Sequence, residues 1–205
     1  MLTAAPEKII LATGNAGKVR EIQAVLSEYD IQVLPQSQFD VPEAIEDGLT
    51  FVENALIKAR HAAKLTGLPA IADDSGIEVD FLKGQPGIYS SRYAGENGNN
   101  AANNQKLLDA LKGVAKEKRT ARFQCLIVYL RHELDPTPII CQGTWEGYIT
   151  EHACGTRGFG YDPLFFVEDQ NCTAAELSAE TKNKISHRGQ ALAKFVSAFA
   201  KDYGK

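Results

Sequence analysis

KIILATGNAGK, residues 8–18, sets the architecture at the start of the chain. Lys8–Thr13 is a short apolar run ended by Gly14, as a buried strand should be. After the Gly14–Gly17 loop, Val19, Ile22, Leu26 and Tyr29 recur at helical spacing, so the opening reads strand, glycine loop, helix. Further along, Thr50-Phe51-Val52-Glu53 is a capping box that predicts a helix running to Thr66, where Gly67 and then Pro69 stop it. Pro69–Ala72 (PAIA) reads as a short buried strand delivering Asp73 and Asp74 at its C-terminal end, and Ile77, Val79 and Phe81 alternate as another strand. A helix is predicted over Asn100–Lys112, closed by Gly113. Thr120–Arg131 and Pro138–Thr150 are rich in β-branched and aromatic residues, are separated by a turn-like DPTP, and read as a long antiparallel pair. A Gly-rich loop at Gly155–Pro163 precedes a strand at Leu164–Val167. Ser186 can cap a last helix whose buried stripe is Leu192, Phe195, Val196, Phe199 and Tyr203. This mixture implies an α/β fold with a mixed β-sheet flanked by helices, not a doubly wound Rossmann domain.

The whole chain narrows the function classes. Its 205 residues can bury a sizeable core, and no repeat, low-complexity tract or linker divides them. Hydrophobic residues at 44% and charged residues at 23% suit a globular protein. A net charge of −4 argues against a general nucleic-acid binder, which would carry a broad basic surface. Cys125, Cys141, Cys154 and Cys172 lie far apart with no C-x-x-C pair, the usage of a reduced compartment, and draw no zinc framework. The leader MLTAAPEK lacks a signal-peptide core, and no apolar run could span a bilayer. The expectation is a cytoplasmic protein with no membrane partner.

Five constellations could carry chemistry. Thr13, Gly14, Asn15, Ala16, Gly17 and Lys18 form a βα loop in which glycines admit an anion, the helix N-terminus offers free N–H groups, and Lys18 adds a charge. Two residues separate the glycines where a Walker loop has four, and Val19 stands where that loop places Ser or Thr, so a P-loop kinase does not fit. An ordinary tight turn is the bland alternative. Asp73 and Asp74 are two adjacent carboxylates after an apolar strand; a hard cation takes oxygen ligands of this kind with substrate phosphates, and one carboxylate could accept a proton from water. Their supposed place beyond a strand's carboxyl end, where open α/β sheets bind ligands, favours function over a simple turn. The acidic segment holding Glu43, Glu46 and Asp47 could add a third carboxylate, and Lys58 on the capped helix a further phosphate contact, although such residues are usually just solvated. Phe159, set between Gly158 and Gly160, with Tyr161 and Asp162, either offers a face to a base or tucks into the core. Lys182, His187 and Arg188 place cations around a helix start, against the helix dipole, which hints at a demand other than stability.

Together, and in this order, these segments resemble the Ham1-like family of inosine/xanthosine triphosphate pyrophosphatases. The resemblance rests on LATGNAGK (11–18), GLTFVENALIKARHAA (48–63), ADDSG (72–76), PGIYSSRYAG (86–95), GFGYDPLF (158–165) and LSAETKNKISHRGQAL (177–192), and with the intervening strands it covers nearly the whole chain. It implies hydrolysis of ITP, dITP and XTP to the monophosphate and pyrophosphate, with Mg²⁺, in a homodimer. The implied fold is an elongated mixed sheet in two lobes around a central active-site cleft, the whole of 1–205 being one catalytic domain. Carried over, Thr13–Lys18 and Lys58 would hold the triphosphate. Asp74 would be the catalytic acceptor and a metal ligand, with Glu46 and Asp73 supporting the metal. Ser75, Phe159, Gly160, Tyr161, Asp162, Lys182, His187 and Arg188 would form the nucleoside pocket. The Asn/Ala-rich segment 97–104 reads as tolerated variation. A pyrophosphatase for another modified base, as in Maf-like proteins, and a non-catalytic nucleotide-binding module are the alternatives.

Overall fold

The computed structural model describes residues 5–204, apart from the side chain of Ala16. The first four residues of the MLTAAPEK leader lie outside the described residues. The strands are β1 (Lys8–Leu11), β2 (Gln32–Pro35), β3 (Ala70–Val79), β4 (Thr120–Leu130), β5 (Ile139–Ile149), β6 (Phe165–Val167) and β7 (Cys172–Thr173). The α-helices are α1 (Ala16–Leu26), α2 (Phe51–Thr66), α3 (Asn100–Ala110), α4 (Ala179–Ile185) and α5 (His187–Tyr203). The strands form one sheet in the order β2-β1-β3-β4-β5-β6-β7. β1 is parallel to β2 and β3, whereas β6 is antiparallel to β5 and β7, so the sheet is mixed as expected. The β4–β5 pair declares its direction through its side chains: Thr144 Oγ1 donates to Gln124 Oε1, and Arg122 Nε donates to Glu146. The partner number falls by two as the other rises by two, which is antiparallel register.

Two compact units divide the chain: residues 1–74, 125–143 and 191–205 in the first, and 75–124 and 144–190 in the second. In the first unit the run Ile9–Ala12 is apolar at every position because both faces of β1 are covered. Ile9 and Leu11 join Ile71, Ile127 and Tyr129 under α1 (Ile22, Leu26) and α5 (Phe195, Phe199). Ile10 and Ala12 join Ala70, Ala72, Val128 and Leu130 under α2, which contributes Ala55, Ala59, Ala62 and Ala63. Alternation along a strand therefore assigns α1 and α5 to one face of the parallel strands and α2 to the other. The second unit has its own core of Ile77, Val79, Leu107, Leu111, Phe123, Trp145, Ile149 and Phe165.

α2 keeps its predicted bounds: Thr50 accepts from the Glu53 N–H and Gly67 closes the helix in the left-handed region. Three sequence readings change. The two short strands predicted around the acidic pair are one strand of ten residues, so Asp73 and Asp74 lie inside β3 and not at a strand end. Residues 179–185 form a separate helix, capped by Ser178, before α5 begins. The last helix buries Ala191, Phe195 and Phe199 fully, whereas Leu192, Val196 and Tyr203 are only half-buried.

Candidate active site

The pleat of β3 explains how two adjacent carboxylates coexist. Pairing with β1 ends at Leu11↔Ile71, after which Ala12 N donates to Ile71 O, so the acids follow directly beyond the carboxyl end of the parallel partner. Neighbouring strand residues point to opposite faces. Asp73 follows Ile71 onto the α1 face, where Lys18 of α1 stands 2.8 Å from its Oδ2. Asp74 follows Ala70 and Ala72 onto the α2 face, where Lys58 Nζ lies 2.9 Å from its Oδ1. The sequence presents the acids as a matched pair; the fold gives each a different lysine from a different helix.

Lys58 also reaches Glu46 Oε1, 3.4 Å away, so the loop preceding α2 delivers a second carboxylate to the Asp74 side. Asp74 Oδ2 is buried and has no hydrogen-bond partner. Burial raises the Asp74 pKa above the ordinary carboxylate value, and Lys58 pulls the other way without cancelling it. Burial likewise works to lower the Lys58 pKa, but Asp74, Glu46 and Asp73 together outweigh it and the ammonium is held more firmly than usual. Two lysines thus face three carboxylates, leaving a surplus of negative charge. Among the described residues no three His, Cys, Asp or Glu side chains converge into a complete cation cage. Mg²⁺ commonly uses one or two carboxylates, several waters and substrate phosphates, so Glu46 and the unpartnered Oδ2 of Asp74 fit such an ion.

The βα loop differs from its sequence reading in one respect. Asn15 caps α1, its Oδ1 accepting from Gly17 N at 2.8 Å and Lys18 N at 3.3 Å, while Thr13 Oγ1 accepts from Asn15 N. Two of the helix's first N–H groups are therefore occupied by the cap, and the Lys18 ammonium is paired with Asp73. A β-carbon at Gly14 would meet nothing within 4 Å, so the loop is open there; one at Gly17 would sit 3.0 Å from Asn15 Oδ1. Ala16 begins the helix.

The remaining predicted site residues belong to the second unit. Asp162 is 2% exposed, accepts from Phe159 N at 2.8 Å and pairs with Lys182. A β-carbon on Gly158, whose φ is +76°, would collide with that carboxylate, so this glycine is required. Phe159 is 61% exposed, with the Lys182 ammonium 5.2 Å from its ring centroid. Of the two readings of Phe159, the exposed face is the one realised. Tyr161 instead belongs to the core, 4% exposed, its hydroxyl donating to Ser90 O. Gly160 O accepts from Asn104 Nδ2. His187 stacks on Phe123, with centroids 4.8 Å apart and planes at 13°, and lies along Trp145. Ser186 Oγ accepts from Gly189 N, and Arg188 occupies the first turn of α5. Ser75 follows Asp74 within β3 and is half-buried.

Three asparagines do more than their sequence reading says: Asn54 reads only as part of a polar helix side, and Asn103 and Asn104 carry no reading of their own. Asn54 is fully buried in α2, with Oδ1 accepting from Gly48 N. Asn103 is 1% exposed and ties Ala94 N to the carbonyls of Ser90 and Ser91, and Asn104 holds the Phe159 loop through Gly160. The segment read as tolerated variation has definite work. The available signal was an amide of poor helix propensity repeated inside a helix.

Comparison with known proteins gives the family and the fold. The Ham1 family profile matches residues 9–198. A protein of Vibrio parahaemolyticus named dITP/XTP pyrophosphatase is 61% identical over 91% of this chain and 93% of its own length. One of the same name from Salmonella typhimurium is 59% identical over 94% of this chain and 98% of its own length. Among solved structures, a HAM1 protein from Coxiella burnetii superposes with a TM-score of 0.92 at 49% identity, covering 96% of this chain and all of that one. A nucleoside-triphosphatase, also named dITP/XTP pyrophosphatase, from Mycobacterium abscessus gives 0.80 at 38% identity, covering 94% and 99%.

Proposed function

This chain belongs to the Ham1 family, and on that premise we propose that it hydrolyses ITP, dITP and XTP to the monophosphate and pyrophosphate, removing these non-standard purines from the nucleotide pool. The observation that carries the reading is the Lys58–Asp74–Glu46 group with its unpartnered, buried Asp74 Oδ2, in a chain about 60% identical to proteins named for this activity. Cleavage between the α- and β-phosphates needs charge neutralisation, a positioned water and a base. Lys18 and Lys58 supply the first by exchanging their carboxylates for phosphate oxygens. Asp74 takes the proton of the water attacking the α-phosphorus, and the α–β anhydride bond breaks to release pyrophosphate. Glu46 and Asp74, with Asp73 in support, are the residues that would hold Mg²⁺, which would supply further charge neutralisation.

Base choice falls to the second group of residues. Hypoxanthine and xanthine carry a carbonyl at C6, an acceptor for donors of Lys182, His187 or Arg188, and the exposed Phe159 ring offers a stacking face. Adenine presents an amino group there, and an unpaired buried donor costs about 1–3 kcal/mol, a substantial rejection of ATP. The resemblance further supports one catalytic domain over 1–205, acting as a cytoplasmic homodimer without a nucleic-acid or membrane partner; among the described residues no helix is long and apolar enough to cross a membrane. Steady-state kinetics on ITP, XTP, GTP and ATP, with and without Mg²⁺ and with pyrophosphate as the measured product, tests the reading. The expected pattern is Mg²⁺-dependent preference for ITP and XTP. Equal turnover of ATP, or release of orthophosphate in place of pyrophosphate, overturns it.

A further inference from the structure

The polar side of α2 has a second role, in holding the loop that carries Glu46. Asn54, Lys58 and His61 follow at spacings of four and three and so share one stripe of the helix. Each meets the same segment at a different place. Asn54 Oδ1 accepts from Gly48 N at 3.0 Å, and Lys58 Nζ lies 3.4 Å from Glu46 Oε1. His61 Nε2 stands 2.9 Å from Pro42 O; a carbonyl only accepts, so the ring nitrogen donates. Residues 41–48 have no helix or strand of their own, and beyond the buried Val41 the apolar side chains Ile45 and Leu49 are each 83% exposed. Side chains of α2, not burial, therefore fix the far end of this segment.

Asn54 is the deepest of the three, with no exposed surface. Gly48 fits against it only for want of a side chain: a β-carbon there would lie 2.7 Å from Asn54 Oδ1 and 2.7 Å from Glu53 Cβ. Aspartate would accept the Gly48 N–H equally well, but would add a fourth carboxylate to Glu46, Asp73 and Asp74. Leucine would fill the space and leave the N–H unpaired. The amide is a neutral acceptor, and it is present although its buried Nδ2 has no partner, an arrangement that buried polar groups rarely show.

We propose that Asn54 is a positioning residue: it seats Gly48 and, through the short link back to Glu46, sets that carboxylate beside Lys58 and Asp74, while His61 holds the segment's other end. The inference rests on the reading of Glu46 as a Mg²⁺-supporting carboxylate. The test uses Asn54→Leu and His61→Ala, each alone and combined with Glu46→Gln. Mg²⁺ is titrated alone, read by melting temperature, and with ITP, read by turnover. Hydrogen exchange is followed in the metal-free, nucleotide-free protein. Asn54→Leu is expected to raise the Mg²⁺ needed for half-saturation about 10-fold, the low end for removing a residue that supports a metal ligand, and His61→Ala to shift it less in the same direction. Both shifts should vanish in the Glu46→Gln background, and the Gly48 amide should exchange faster in Asn54→Leu while amides of β1 do not. A Mg²⁺ titration like the wild type, a shift undiminished by Glu46→Gln, or unchanged Gly48 exchange overturns the proposal. If Asn54→Leu does not fold, His61→Ala carries the same comparison. If the wild type shows no Mg²⁺-dependent turnover, the functional reading fails separately, and the exchange measurement still decides whether Asn54 seats Gly48.

Discussion

At Asp74 two influences oppose each other: burial disfavours the carboxylate, and the Lys58 ammonium favours it, with burial the stronger. A base must be ionised to accept a proton, and in the ligand-free protein Lys58 is the group that favours the ionised form of Asp74. In the metal-free protein the Asp74 carboxyl carbon should titrate above the ordinary value of about 3.9, and Lys58→Met should move it higher, as followed by carbon NMR. A carboxyl whose folded pKa is raised contributes stability that is present below its unfolded pKa and declines as pH rises through the raised folded value. The Lys58→Met protein should accordingly lose stability over a wider span above the ordinary value than the wild type. Asp74→Asn keeps the size of the side chain and removes the proton acceptor. Turnover of ITP should fall about 10²–10⁴-fold, the usual worth of a general base, with the melting temperature little changed; retained turnover would take Asp74 out of the chemistry.

Elements meet through glycines at two places with opposite demands. Gly189, in the first turn of α5, lies so close to the end of α4 that a β-carbon would strike the backbone carbonyl of Asn183. Gly189→Ala should cost about 1–3 kcal/mol, the range for overpacking against atoms that cannot yield, measured by urea unfolding. Gly14, at the end of the β1–α1 turn, has open space where its β-carbon would be. Gly14→Ala should leave the unfolding midpoint unchanged, because a β-carbon there meets nothing, and should raise KM for ITP if the loop admits phosphate as proposed. A stability loss at Gly14 without a change in KM would make the loop a structural turn.

For the whole molecule, the two units are not joined by a linker: the division falls inside β3, β4, β5 and α5. Phe195 anchors one core of the first unit and Phe165 the core of the second, both with no exposed surface. Phe195→Ala and Phe165→Ala should each cost about 3–5 kcal/mol. Each should shift a single transition seen alike by tryptophan fluorescence, which reports Trp145 in the second unit, and by far-ultraviolet circular dichroism. Separate transitions would show that the strands do not transmit unfolding across the division.

The sequence by itself determined the elements whose cause is local. The capping box and Gly67 fixed α2, the doubly buried run Ile9–Ala12 fixed β1, and β-branched and aromatic enrichment fixed β4 and β5. It also pointed to the Ham1 family, because the order of short motifs along the chain is specific even where each motif alone is weak. Tertiary structure decided what depends on partners distant in sequence. Asp73-Asp74-Ser75-Gly76 reads locally as a strand end, yet it continues as strand because β3 lies between β1 and β4 in the sheet, with Lys18 and Lys58 meeting the acids on either face. Tyr161 and Phe159 stand two apart in one loop, and only packing against Ser90 places one in the core and leaves the other exposed. The acid pair shows the limit most plainly. Sequence adjacency makes Asp73 and Asp74 look equivalent, and the pleat of β3 sends them to opposite helices, because side-chain direction along a strand acquires a meaning only when something covers each face.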